Sequence, residues 1–384
     1  MSPRSTFDFV VVGAGVFGAW AAYQLHLTGA SVVLIDQYGA ANSRASSGGE
    51  TRVLRMGYGA DEIYSRSAQR SFTLWQELCE QTRRSLFQRT GVLWFAREED
   101  PYSINTLATL ARIGAVFHKL ARPELEQRYP QIQFDQIAWA IFEPESGVLM
   151  ARRAVRALVQ QAQINGITYL HDSVLPPNGS GRLQSVALVG GAEISAGTFV
   201  FACGPWLPKV FPDVLGELIY VTRQEEFFFG VPAGDPRFEP PHMPAWIDFT
   251  DLVYSVPDVG GRGLKIAIDA HGAEFDPDAG ERVITKEGLA AAREHLAQRV
   301  PALADAPLLE ARVCQYENTS NGDFLIDRHP AWENLWLVGG GSGHGFKHGP
   351  AVGEYVAGVI SGKAQGEPRF MLAGKGKQHR RQVY

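Results

Sequence analysis

The feature that most constrains this chain is a glycine turn, Gly13-Ala14-Gly15-Val16-Phe17-Gly18, set directly after an apolar stretch, Phe7 to Val12. That stretch has the pattern of a strand buried on both faces of a parallel sheet. Ala19 to Leu27 reads as a helix ended by Gly29, and Ser31 to Ile35 as a second buried strand closed by Asp36. Together they form a βαβ unit of about 30 residues whose glycines have separate duties. Gly13 permits the tight turn, Gly15 lets the backbone approach a pyrophosphate, and Gly18 allows close helix packing. Asp36 would accept hydrogen bonds from ribose hydroxyls. The helix N-terminus supplies unpaired N–H groups and a positive dipole end for phosphates.

The apolar run from Phe7 to Ala22 has the length of a signal sequence, but its glycines and the Asp8 before it fit a nucleotide-binding strand and helix instead. No other stretch approaches about 18 uninterrupted apolar residues, so no membrane span and a cytoplasmic location are expected. The formal net charge is -5, with no basic block in the folded body, so nucleic acid is not an expected partner. Cys79, Cys203 and Cys314 are an odd number without CxxC spacing. They give neither a disulfide framework nor a zinc site, no metal is expected, and a reducing compartment follows.

At 384 residues the chain is long enough for two domains. Helical spacing continues at Ile63 to Gln81, Ile104 to Leu120, Arg152 to Asn165 and Pro350 to Ile360. Strand-like runs fall at Leu86 to Phe95, Thr168 to His171, Thr198 to Ala202 and Leu335 to Val338. Between them lies a β-rich stretch: Ile219 to Val231, Leu252 to Val256, Leu264 to Ile268 and Ala311 to Tyr316. The fold class expected is α/β, a Rossmann-like dinucleotide-binding domain with a second β-rich (α+β) substrate domain inserted. Residues 1–85, 150–215 and 320–373 are assigned to the first, and 86–149 and 216–319 to the second. Residues 374–384 are expected to be a flexible basic tail.

The first motif alone leaves NAD and FAD open. Two later features favour FAD: the sharp turn at Phe201 to Trp206, and a second glycine-rich turn, Gly339 to Gly345, at a strand end before a helix. An extended FAD needs such separated contacts, and a helix N-terminus aimed at the flavin would stabilise the charge of its reduced ring. Gly341, Gly343 and Gly345 are therefore candidate cofactor contacts.

With these turns in place, further motifs carry a resemblance. Gly49-Glu50-Thr51-Arg52-Val53-Leu54-Arg55, Arg312 to Tyr316, and Ser342 to Lys347 resemble the monomeric sarcosine oxidase and N-methyltryptophan oxidase family. Pipecolate oxidases share the pattern, which runs from residue 7 to about residue 363. The resemblance implies a covalent bond from Cys314 to the flavin 8α-methyl group, chemistry that suits a thiolate nucleophile. It implies that Arg55 and Lys347 grip the substrate carboxylate, a fork and a point charge on one anion. It also places Arg52 beside the flavin ring, Lys265 where it activates oxygen, and Tyr254 in the substrate pocket.

Three positions depart from the family pattern. Asp269 stands where sarcosine oxidases carry a histidine near the substrate, Gly48 where they have one beside the flavin, and Glu317 where a threonine is commoner. An acid at Asp269 favours a cationic amine or a second polar group, so a cyclic or larger imino acid is as good a candidate as sarcosine. The expected activity is FAD-dependent oxidation of a secondary amino acid to an imine, with oxygen as co-substrate, hydrogen peroxide as product, and a monomeric enzyme. A dehydrogenase using another acceptor, and a non-catalytic flavoprotein subunit, are the alternatives.

Overall fold

A computed structural model describes residues 6–377. Strands are numbered β1 to β18 along the chain. The first sheet is built on Thr6–Val12 (β1), flanked by Val32–Asp36 (β2) and Glu193–Phe201 (β11), both parallel to it. Thr168–His171 (β9) extends it beyond β2, and Leu335–Gly339 (β18) beyond β11, again in parallel. Antiparallel Leu325–Arg328 (β17) and Ser185–Ala187 (β10) finish it.

The apolar runs read as buried strands are covered on both faces. Val11 and Leu34 face a core shared with helices Val16–Leu27, Ala151–Ile164 and Gly349–Ile360. Val10 and Ile35 face the opposite cluster with Phe199 and Phe201. A glycine brings two of those helices together: a Cβ on Gly353 would come 2.7 Å from the Trp20 carbonyl.

The second sheet is largely antiparallel, in the order Leu308–Thr319 (β16), Ile219–Phe229 (β12), Leu264–Ile268 (β15), Val253–Val256 (β14), Ala245–Asp248 (β13), Val92–Ala96 (β5), Trp139–Glu143 (β7) and His118–Ala121 (β6). Arg52–Leu54 (β3), Gly147–Leu149 (β8) and Phe87–Gln88 (β4) make a small third sheet. The α/β class with a β-rich second part is the one expected. The long β12–β16 ladder sets Gln224 against Cys314, and β12 against β15 sets Phe228 against Lys265.

The local reading differs in places. The helix expected to run to Leu120 is Pro101–Arg112, because Gly114 turns the chain at φ 70° and His118–Ala121 leaves as β6. The single strand expected over Leu86 to Phe95 is β4 and β5, in different sheets, separated by Gly91 at φ 70°. The first helix starts at Val16 rather than Ala19, directly on Gly15. Helices Arg122–Arg128 and Lys286–Arg299 are additional to those expected. Of the tail read as flexible, residues 378–384 lie outside the described residues. Its earlier part is packed: Lys375 is buried, and its Nζ donates to the Arg369 carbonyl at 2.7 Å. Among the described residues no helix is long and apolar enough to cross a membrane.

Candidate active site

The first glycine turn sits where β1, β11 and the first helix meet. A Cβ on Gly13, which has φ 102°, would collide with the Ala202 carbonyl, and one on Gly18 with the Gly13 carbonyl. Gly15 is open by comparison: a Cβ there would have Ser47 Oγ as its nearest neighbour, at 3.5 Å. Asp36 braces the turn from the end of β2, its Oδ2 accepting from the Ala14 amide at 2.7 Å and its Oδ1 from the Tyr38 amide at 2.9 Å. Burial raises the Asp36 carboxyl and those amides pull it back. Gly13, Gly15, Asp36, Cys203 and Trp206 line a cavity of about 1110 Å³.

That cavity shares Gly15, Ser46, Ser47, Ala202 and Gly204 with a second, of about 640 Å³. Its other walls include Arg52, Cys314, Glu317 and the turn carrying Gly341, Gly343 and Gly345. The turn is tight: the Gly345 amide donates to the Gly341 carbonyl at 2.8 Å, and Gly343 has φ 79°. A Cβ on Gly345 would come 2.9 Å from both Gly341 Cα and Phe17 Cζ. Cys314 is 7% exposed, and its Sγ receives the Arg52 guanidinium Nη2 at 3.4 Å. A cavity at a helix start, joined through shared residues to a second that reaches the other glycine turn, fits an extended FAD.

A third cavity, of about 670 Å³, shares Arg52, Tyr316, Gly343 and Phe346 with the second. Arg55 and Lys347 meet here. The Arg55 guanidinium carbon lies 4.4 Å from the Tyr58 ring centre and 4.4 Å from that of Trp94, and Nη1 donates to the Gly57 carbonyl at 2.6 Å. Glu143 fixes this platform, accepting from the Met56 amide at 2.8 Å and Trp94 Nε1 at 2.7 Å. Lys347 Nζ sits 5.0 Å from the same Tyr58 ring and donates to the His344 carbonyl at 3.1 Å. Burial, and then Arg55, hold the Lys347 amine well below its ordinary range.

Asp269 is on the wall of the same cavity and accepts from Tyr316 Oη at 2.6 Å. Burial raises its carboxyl, while that hydrogen bond and then Arg55, Lys347 and Lys265 lower it. Tyr254 lines this cavity too, with Lys265 Nζ 5.1 Å from its ring centre. Lys265 itself is fully buried behind the wall and lines neither cavity. Its Nζ lies 3.1 Å from Glu226 Oε1, and the same oxygen accepts from Arg52 Nη1 at 2.8 Å. Burial lowers the Lys265 amine and Glu226 opposes the fall. Glu226 is pulled down to about 2: burial would raise it, but Arg52 and Lys265 outweigh burial.

The structure therefore gathers Arg52, Arg55, Lys347, Tyr254 and Asp269 on one wall system, with Lys265 attached through Glu226. Sequence reasoning missed Glu226, the Tyr58–Trp94 clamp on Arg55, and Ser47, whose Oγ accepts from the Val16 amide at 3.0 Å. Glu226 had one available signal, a carboxylate directly before the apolar run Phe227 to Phe229 and in alternation with Gln224 and Phe228. Among the described residues no cluster of three or more His, Cys, Asp or Glu is placed to hold a metal.

Known proteins match this arrangement over nearly its whole length. The chain is 31% identical to monomeric sarcosine oxidase of Bacillus sp. (strain NS-129) over 360 residues, 91% of this chain and 92% of that protein. It is 27% identical to N-methyl-L-tryptophan oxidase of Yersinia pestis (strain Pestoides F), over 91% of this chain and 94% of the other. Among solved structures, L-proline dehydrogenase from P. horikoshii superposes with a TM-score of 0.82 at 22% identity, covering 96% of this chain and 97% of its own. The profile of the FAD dependent oxidoreductase family matches residues 8–359, and the chain belongs to that family.

Proposed function

We propose that this FAD-dependent oxidoreductase oxidises a secondary amino acid, N-methylated or cyclic, to its imine, with oxygen as electron acceptor and hydrogen peroxide as second product. The observation that carries the reading is the cavity that Arg55, Lys347 and Asp269 line together, with both basic side chains against the Tyr58 ring. One carboxylate suits both groups: the Arg55 guanidinium is a fork, and Lys347 becomes a point charge once the bound anion offsets the burial that lowers its amine. The acid suits the amine of the same molecule. The likeness to sarcosine oxidase and N-methyltryptophan oxidase supports the same substrate class.

Bound FAD supplies the two-electron acceptor for the C–H bond beside nitrogen. The chain's own residues do the rest. Arg55 and Lys347 fix the carboxylate, so the reacting carbon is held in one orientation. Asp269 takes the proton that an ammonium substrate must lose before oxidation, and Tyr316 positions it. Ile247 and Phe249 keep water from the reacting carbon. Substrate gives up two electrons and two protons in all, and one oxygen molecule takes them to become peroxide. Lys265, held by Glu226, supplies positive charge for that second half. Gly13, Gly15, Gly18 and Asp36 hold the nucleotide end, Gly341, Gly343 and Gly345 the flavin end, and Cys314 Sγ forms a thioether to the flavin. Forming that bond breaks an S–H and a C–H bond, and the two electrons and two protons released would reduce one oxygen molecule to hydrogen peroxide.

The cofactor segments are residues 1–85, 150–215 and 320–373, and the substrate segments 86–149 and 216–319. The protein acts as a monomer in the cytoplasm, where its three free cysteines stay reduced. The test is anaerobic titration of the purified yellow protein with N-methyl and cyclic amino acids, followed by admission of oxygen. Bleaching by such a substrate, then recovery with stoichiometric peroxide, is expected. No bleaching by any of them refutes the substrate class, and bleaching without oxygen uptake makes the enzyme a dehydrogenase. Colour that stays in the acid-precipitated pellet, and leaves it in Cys314→Ala, establishes the thioether.

A further inference from the structure

Glu317 has no part in the reaction described above, yet its carboxyl is one of the walls of the second cavity. It lies on β16 opposite Val221 and is 7% exposed. Its Oε1 is buried with no hydrogen-bond partner among the described residues. Room for it is built in, because a Cβ on Gly339, at the end of β18, would collide with that oxygen. An unpartnered buried carboxyl oxygen is costly and calls for a partner. The cavity that the Glu317 side chain lines is also bounded by Gly339 and, from the two glycine turns, by Gly15 and Gly341.

We propose that Glu317 is a cofactor-binding residue: as a neutral carboxylic acid it donates a hydrogen bond to an oxygen of the ribityl–diphosphate chain of FAD. The inference rests on the FAD reading above. An ionised carboxylate in that place would repel the diphosphate, whereas the acid offers the donor that a phosphate or hydroxyl oxygen accepts. Its surroundings favour the acid. Burial pushes the carboxyl up to about 8, against the amides of Gly340 and Gly341, which favour the ion. Burial has pushed up the Cys203 thiol, at the turn after β11, as well, and Asp36 and Glu317 add to that rise. Cofactor binding and proton binding at Glu317 are thus coupled.

The experiment uses the full-length protein with Cys314→Ala, so that FAD binds reversibly, and follows quenching of flavin fluorescence from about pH 6.5 to about pH 9.5. The dissociation constant is expected to be level below about 8. Above that it rises about tenfold per pH unit, one proton being taken up with each cofactor. With Glu317→Gln added, the amide donates at every pH and the rise disappears. An infrared difference spectrum, FAD-bound minus free, is expected to carry a neutral carboxyl C=O band that Glu317→Gln removes. A pH-independent affinity in Cys314→Ala overturns the inference, as does a slope that survives Glu317→Gln, or a difference spectrum without the band. Failure of the FAD reading looks different: neither the parent nor Cys314→Ala takes up flavin at any pH.

Discussion

Replacing Glu226 by Gln tests the charge network behind the substrate cavity. One oxygen, Oε1, serves Arg52 at 2.8 Å and Lys265 at 3.1 Å, with the Lys265 and Glu226 side chains 0% and 5% exposed. At an effective dielectric constant of about 20 those separations correspond to attractions of about 6 and about 5 kcal/mol. Desolvating three charges returns most of this. What is left shows in the carboxyl, drawn from 4.5 to about 2. That difference is worth about 3 kcal/mol of folding stability at neutral pH. The folded-state value is depressed, so this stability is complete above the unfolded value and is lost as pH falls toward 2. Urea unfolding should show Glu226→Gln less stable by about 3 kcal/mol at pH 7, and by about 2 kcal/mol at about pH 3.5, where the parent carboxyl has begun to protonate on unfolding. The substitution removes the anion that opposes the lowering of the Lys265 amine, so that amine should fall further and reoxidation should slow toward the Lys265→Met rate. A stability loss under about 1 kcal/mol, or one independent of pH in this range, refutes Glu226 as the shared counter-ion.

Lys265→Met should slow oxygen-dependent reoxidation by about a hundredfold or more in stopped flow, while anaerobic bleaching by substrate stays within a few-fold. Arg55→Ala leaves the carboxylate with Lys347 alone and empties the slot between Tyr58 and Trp94. Steady-state kinetics should show kcat/KM down by about a hundredfold or more, and the loss should be far smaller for an amine lacking the carboxylate. Asp269 must be ionised to take the ammonium proton, and burial raises its carboxyl, so kcat/KM should climb with pH through a limb above the usual carboxylate range. Asp269→Asn should lower kcat/KM and erase that limb.

The parts of the fold legible in the sequence are those whose patterns are local. The β1–turn–helix–β2 unit is continuous, and its steric requirements fall on Gly13 and Gly18, where only a hydrogen fits. Errors arise where one residue redirects the chain. Gly91 and Gly114 each take a left-handed conformation that ends an element whose apolar residues continue beyond it. Periodicity counts the apolar residues and is blind to the turn between them. Helix Lys286–Arg299 escapes for the opposite reason: its buried positions, Ala292, Leu296 and Arg299, share one face, but only Leu296 among them is a large apolar residue.

The site divides along a different line. Residue types announce what a position can do, and motif resemblance nominates Arg55, Lys265, Asp269 and Lys347, which are spread along the chain and which the fold brings to one region. What no motif carries is the partner that sets each charge. Lys265 reads as a cation aimed at a cofactor, but in the fold it is fully buried against Glu226, contributed by the adjacent strand β12. Arg52 ends on the same oxygen from the small third sheet. Three sequence-distant residues thus form one electrostatic unit, and a substitution at any of them changes the other two. Asp269 and Tyr316 are a second such unit, joined across the ends of β15 and β16. Ionisable groups buried this deeply are tuned by their partners more than by their own type. The chemistry of the pocket is therefore a property of pairs formed by strand register: apolar alternation decides which face a residue takes but leaves a two-residue shift between strands open.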